Sequence, residues 1–111
     1  MTESQWHPFD GGATIGLKGS EDGAIVRDEE HVQEARITLE RETPHVPFAI
    51  TCGIYGCMVH TRFFSKEAEA QAQYDEMKAA LSALLATENE GGPEGCDSFL
   101  DGVSAFVERY P

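Results

Sequence analysis

The sequence predicts an α+β fold: an antiparallel sheet of four to five strands followed by two C-terminal helices packed on one face. Three observations carry this. Two-residue alternation of apolar and polar side chains runs through 34–42, helical spacing takes over from Lys66, and the stretch between, 43–65, holds no acid and one base, Arg62. Strands first and helices second is the order of an α+β domain rather than of repeated βαβ units.

The chain of 111 residues fits one domain, read as an N-terminal arm, 1–12, and a body, 13–111. The arm ends in Gly11-Gly12, and Trp6 and Phe9 give it side chains with which to dock onto the body. Ala13 to Lys18 and Ala24 to Asp28 are short strands around the turn Gly19-Ser20-Glu21-Asp22-Gly23, where glycine supplies positive φ and Ser and Asp bond nearby backbone. From Glu34 to Glu42, Ala35, Ile37 and Leu39 alternate with Glu34, Arg36, Thr38 and Glu40, a strand with one dry and one wet face.

Two prolines, Pro44 and Pro47, interrupt the pairing because neither can donate to a ladder. Val46 to Phe64 then reads as a hairpin about Gly53-Ile54-Tyr55-Gly56. That loop sets Cys52 opposite Cys57, Ile50 opposite Val59, Phe48 opposite Thr61 and Val46 opposite Phe63, which gathers the apolar residues on one face. A continuous strand with a glycine bulge is the competing reading.

Ser65 caps a helix from about Lys66 to Ala86, with Glu67 and Glu69 at its positive end. Ala70, Tyr74, Met77, Leu81 and Leu84 form its apolar stripe. Residues 87–96 read as a loop. Ser98 and Asp101 resemble a capping box before a short second helix, whose apolar side is Phe99, Leu100, Val103, Phe106, Val107 and Tyr110. Helices about 10 Å wide and strands about 4.8 Å apart let two helices cover four strands. The second face is then wet along 34–42 but semi-apolar on the hairpin, through Ala49, Met58 and Phe64, which makes it a candidate homodimer surface.

The formal charge is −12, from 20 acids and 8 bases. Residues 1–42 hold ten acids and four bases, net −6; residues 66–111 hold ten and three, net −7; the middle is net +1. Without a Lys/Arg cluster, neither nucleic acid nor an anionic membrane is an expected partner. A basic protein is an admissible one. No apolar run approaches the roughly 18 residues of a membrane span, and the first residues show no secretory leader. With three cysteines, an odd number, the expectation is a cytoplasmic protein with reduced thiols.

Candidate chemistry centres on the hairpin. Cys52, Cys57, His60 and His45 invite a metal, but Cys57 and His60 stand an odd number apart and point to opposite faces of a strand. No metal or cofactor is expected. His60 and Arg62, with Tyr55 at the tip, form a candidate anion or ligand site. Yet no carboxylate in 43–65 orients the imidazole, and no nucleophile stands beside it. Asp28-Glu29-Glu30 and Ser20-Glu21-Asp22-Gly23 lack the alternation of a calcium loop. The leading expectation is a non-catalytic interaction or regulatory protein acting as a homodimer. The alternatives are a small ligand-binding domain or enzyme using Tyr55, His60 and Arg62, and an acidic antagonist of a basic protein.

Overall fold

The computed structural model describes residues 6–32, 35–44, 46–54, 58–86 and 106–109. Five strands, β1 (Trp6–Pro8), β2 (Ala24–His31), β3 (Ala35–Arg41), β4 (Phe48–Ile54) and β5 (Met58–Phe64), precede one long helix, α1 (Glu67–Ala86). Every pairing is antiparallel and the spatial order follows the chain, β1-β2-β3-β4-β5. The α+β class and the strands-then-helix order are therefore observed. Of the second expected helix, only a turn over 106–109 lies within the described residues; it sends Phe106 into the core.

Alternation dictates what lies beneath α1. Ala35, Ile37 and Leu39 of β3 and Ile50, Cys52 and Ile54 of β4 all face the helix and are buried. Ala70, Tyr74, Met77, Leu81 and Leu84 meet them with the expected stripe, and Leu85 joins on the adjacent helical position. Each large aliphatic in this layer contributes roughly 1.5–3 kcal/mol by leaving water. A bulge in β2 between Ile25 and Arg27 shifts the register, so that Arg27, Glu29 and His31 look toward the helix and Asp28 and Glu30 look away.

Three expectations need correction. Ala13–Lys18 is a run of turns rather than a strand, tied to the start of β2 by the isolated Lys18–Ala24 bridge and by backbone hydrogen bonds of Gly16 and Leu17 with Ile25. Over residues 6–8 the N-terminal segment docks through Trp6: β1 pairs with the end of β2, Trp6 against His31, and Trp6 is buried in the main core. The expected wet face of β3 is covered. Residues 9–23 fold back across it, leaving Thr38 and Glu40 buried and Arg36 half-buried.

The hairpin exists, but its register differs by three residues. Cys52 pairs with His60, Ile50 with Arg62, Phe48 with Phe64 and Ile54 with Met58. An odd shift exchanges the two faces of one strand. His60, Arg62 and Phe64 therefore face α1, while Val59, Thr61 and Phe63 lie on the outer face with Ala49 and Thr51, whose hydroxyl is 3.2 Å from that of Thr61. The apolar pattern misled because β5 carries apolar residues on both faces, and an edge strand lets long polar side chains snorkel from beneath a helix. The semi-apolar second face keeps Ala49 but is otherwise made by Val59 and Phe63, since Phe64 faces α1; the side chain of Met58 lies outside the described residues.

Candidate functional site

Of the three residues singled out on the hairpin, Tyr55 lies outside the described residues, as do Cys57 and His45. His60 and Arg62 do share a face, the one under α1 rather than the one bearing Thr51. Arg62 is occupied structurally: its Nη1 donates to Gln73 Oε1 at 2.7 Å and lies 3.6 Å from Met77 Sδ, with the guanidinium 4.9 Å from the Phe64 ring centroid. Burial pushes the Cys52 thiol up to about 12 despite the nearby Arg62 charge, so it stays protonated and unreactive. This corner of the molecule ties the edge strand to the helix.

A second polar group, unforeseen in the sequence, lies along the seam between β2 and α1. Tyr74 Oη donates to Glu29 Oε1 at 2.8 Å and is 3.2 Å from the Ile37 carbonyl, while Lys78 Nζ is 2.6 Å from Glu29 Oε2. Arg27 stacks 3.9 Å over the Tyr74 ring and reaches Gln71 and Asp75, each at 3.0 Å. Burial, with the Glu29 charge beside it, pushes the phenol far above its ordinary value and keeps it neutral. Farther along, Trp6 Nε1 donates to Ser82 Oγ at 2.7 Å and its ring meets His31 edge-on at 4.9 Å. Burial holds His31 below its usual range, aided by His7. These contacts seal the open side of the core with satisfied polar atoms.

The third group is on the outer face, under residues 9–23. Asp28 receives Arg36 Nε and Nη2 at 2.8 and 2.6 Å, Thr14 Oγ1 at 2.7 Å and Thr38 Oγ1 at 3.1 Å. Burial alone would raise its pKa, but these donors and the Arg36 charge outweigh it, and the carboxyl sits below its ordinary value. Phe9 closes over the pair, with the Arg36 guanidinium 3.6 Å from its ring centroid. Glu40, two strand positions beyond Thr38, is fully buried too, yet it binds only backbone. Its Oε1 accepts from Glu21 N–H at 3.2 Å and Gly23 N–H at 3.0 Å. Burial raises its pKa, the two amides offset part of this, and the charges of Glu21 and Asp22 add to it.

The turn pinned by Glu40 borders a cavity of about 430 Å³. Ser20, Glu21 and Asp22 line one side, Pro44, Val46 and Phe63 the other, and Thr43 lies between them. Thr43 is 8% exposed and its Oγ1 has no hydrogen-bond partner. Acidic groups opposite an apolar wall suit a ligand that is itself part cation and part hydrocarbon. Sequence reasoning placed the acids in a solvated turn and Phe63 in the core. The available signal was the pair of glycines, Gly19 and Gly23, that let this turn lie against Glu40.

No group of three or more His, Cys, Asp or Glu side chains among the described residues is arranged to hold a metal ion. No helix among them is long and apolar enough to cross a membrane. Compared with protein-family models, curated proteins and solved structures, the chain matches none.

Proposed function

We propose that this chain is a non-catalytic interaction protein of the cytosol that works as a homodimer, joined through β5 and its outer face. The observation that carries this is the exposure of Val59, at 81%, and of Phe63, at 52%, four residues apart on the same side of the last strand of the sheet. Isolated exposed apolar residues are ordinary, but a row of them on a terminal strand is a template for pairing. Charge supports the same surface. Two copies carrying −12 each repel, and residues 43–65 are where neither copy presents an acid. A two-fold contact between identical strands is the simplest closed assembly. The side chains with catalytic potential support the non-catalytic half of the reading, since Arg62 holds Gln73 and the Cys52 thiol is buried and protonated.

Size-exclusion chromatography with light scattering over a wide concentration range tests the reading. The wild-type chain is expected to run as a dimer that dissociates on dilution. Val59→Lys, which puts a cation at the centre of each half of the contact, is expected to give a folded monomer. A wild-type monomer at every concentration overturns it.

A further inference from the structure

We propose that the cavity between the Gly19–Gly23 turn and Phe63 receives a guanidinium group, the side chain of an arginine on a basic partner protein. This rests on reading the chain as an interaction protein, and because Phe63 also lies in the proposed dimer contact, arginine and a second copy compete for it. Three features of the cavity point to that chemistry.

First, its polar side is anionic. Glu21 and Asp22 line it, and the carboxylate of Glu40 lies directly behind the turn, fixed to the Glu21 and Gly23 amides. Among the described residues, the ion pair recorded for this turn is Lys18 with Asp22, at 3.5 Å. Both of its side chains are largely exposed, so the pair is worth little and yields readily to a better placed cation. Second, the opposite wall is apolar and aromatic. Pro44 and Val46 offer a surface for a methylene stem, and Phe63 offers a half-exposed ring for the cationic head.

Third, the pairing of two carboxylates with an aromatic ring favours one kind of cation over another. A guanidinium has five N–H donors in a flat fork and stacks on aromatic rings, whereas an ammonium is a strongly hydrated point charge. The overall charge of −12 adds long-range attraction for a basic partner.

The test is a titration of the full-length, ¹⁵N-labelled chain followed by two-dimensional NMR. The probes are N-acetyl-arginine amide, its uncharged citrulline counterpart and N-acetyl-lysine amide. The arginine compound is expected to give saturable shifts at the amides of Ser20, Glu21, Asp22, Thr43 and Phe63, with weaker binding at high salt. Citrulline is expected to leave these amides unmoved, and lysine to bind several-fold more weakly. Glu21→Gln with Asp22→Asn is expected to weaken arginine binding about tenfold, the scale of one charge-assisted hydrogen bond. Asn suits position 22, whose φ is +66°. Phe63→Ala is expected to weaken it by about threefold to tenfold. The same spectra report whether each variant is folded. Equal shifts with arginine and citrulline, or with arginine and lysine, overturn the proposal, as does saturable binding centred on other amides or none at all. Because Phe63 also lies in the proposed dimer contact, the titration is run on Val59→Lys as well as on the wild type. A wild-type chain that is monomeric throughout and binds arginine here would sink dimerisation alone. A folded Val59→Lys monomer blind to arginine would sink only this cavity.

Discussion

Asp28 and Glu40 are both buried carboxylates on the outer face of the same sheet, both roofed by residues 9–23, yet they sit in opposite electrostatic circumstances. Asp28 has the forked Arg36 guanidinium and two threonine hydroxyls, and its acidity is strengthened. Glu40 has two backbone amides and two acidic neighbours, and its acidity is weakened. The comparison separates two ways of holding down one loop. At Asp28 the carboxylate's charge stabilises the fold, because a cation shares its burial. At Glu40 the carboxylate's shape and lone pairs stabilise the turn, while its charge opposes burial.

The largest expected effect comes from breaking the first arrangement. Arg36→Ala leaves Asp28 enclosed with hydroxyl donors only, and removing one partner of a buried ion pair costs about 3–5 kcal/mol. Urea denaturation at neutral pH checks it. A loss under about 1 kcal/mol, the range of an exposed pair, would mean that water reaches Asp28 and that the contrast with Glu40 is false. Asp28 also sets an acid limit. Its folded pKa lies below the ordinary 3.8, so its stabilisation is complete above that value and is lost as pH falls below it.

A smaller loss is expected from Gly23→Ala, which sharpens the second arrangement by moving the turn instead of the acid. A Cβ at residue 23 would stand 2.6 Å from the Arg41 carbonyl oxygen and 2.7 Å from Thr43 Cγ2. Backbone cannot swing aside as a flexible side chain can, so the turn must lift and stretch the Gly23 amide bond to Glu40. Overpacking of this kind costs about 1–3 kcal/mol, readable as a lowered thermal midpoint. The same substitution should weaken arginine-amide binding at Glu21 and Asp22, since it displaces the acidic lip.

How much of this was legible beforehand follows from the kind of force involved. The helix stripe from Ala70 to Leu84 and the dry side of β3 were readable because burial of apolar surface repeats with the period of the backbone. The hairpin was readable as an element but not in register. Phe63 and Phe64 compete for the same place in the pattern, and the choice is made by packing under α1, where Phe64 is buried and Phe63 is not. The candidate residues His60 and Arg62 do share a face, though it is the one under α1, where Arg62 braces the helix through Gln73. Glu40 and Arg36 read as solvent-facing because their residue types are polar. Their burial depends on where a loop some twenty residues earlier comes to rest, which no local pattern encodes. Long-range pairs such as Glu29 with Lys78 and Tyr74 escaped for the same reason.

The smallest effect expected has the opposite sign, and it is the most direct test of the contrast. Glu40→Gln keeps the shape of the side chain and an oxygen at Oε1, the atom that accepts from both Glu21 and Gly23. It removes the buried charge and the repulsion from Glu21 and Asp22, and gives up the longer contact of Oε2 with the Glu21 amide at 3.3 Å. The net expectation is a gain of about 0.5–1 kcal/mol at neutral pH. Its pH dependence fixes the cause. A carboxyl with a raised folded pKa binds its proton more tightly in the folded state, so its favourable contribution belongs to acid pH and fades as pH rises from about 4.5 through the folded value. The advantage of Glu40→Gln should therefore be small at pH 4, grow across that interval and level off above it. Denaturation midpoints of wild type and variant across that range measure it. An advantage that shrinks as pH rises would mean that the Glu40 charge is stabilised in the fold, as that of Asp28 is, by a cation delivered to the turn.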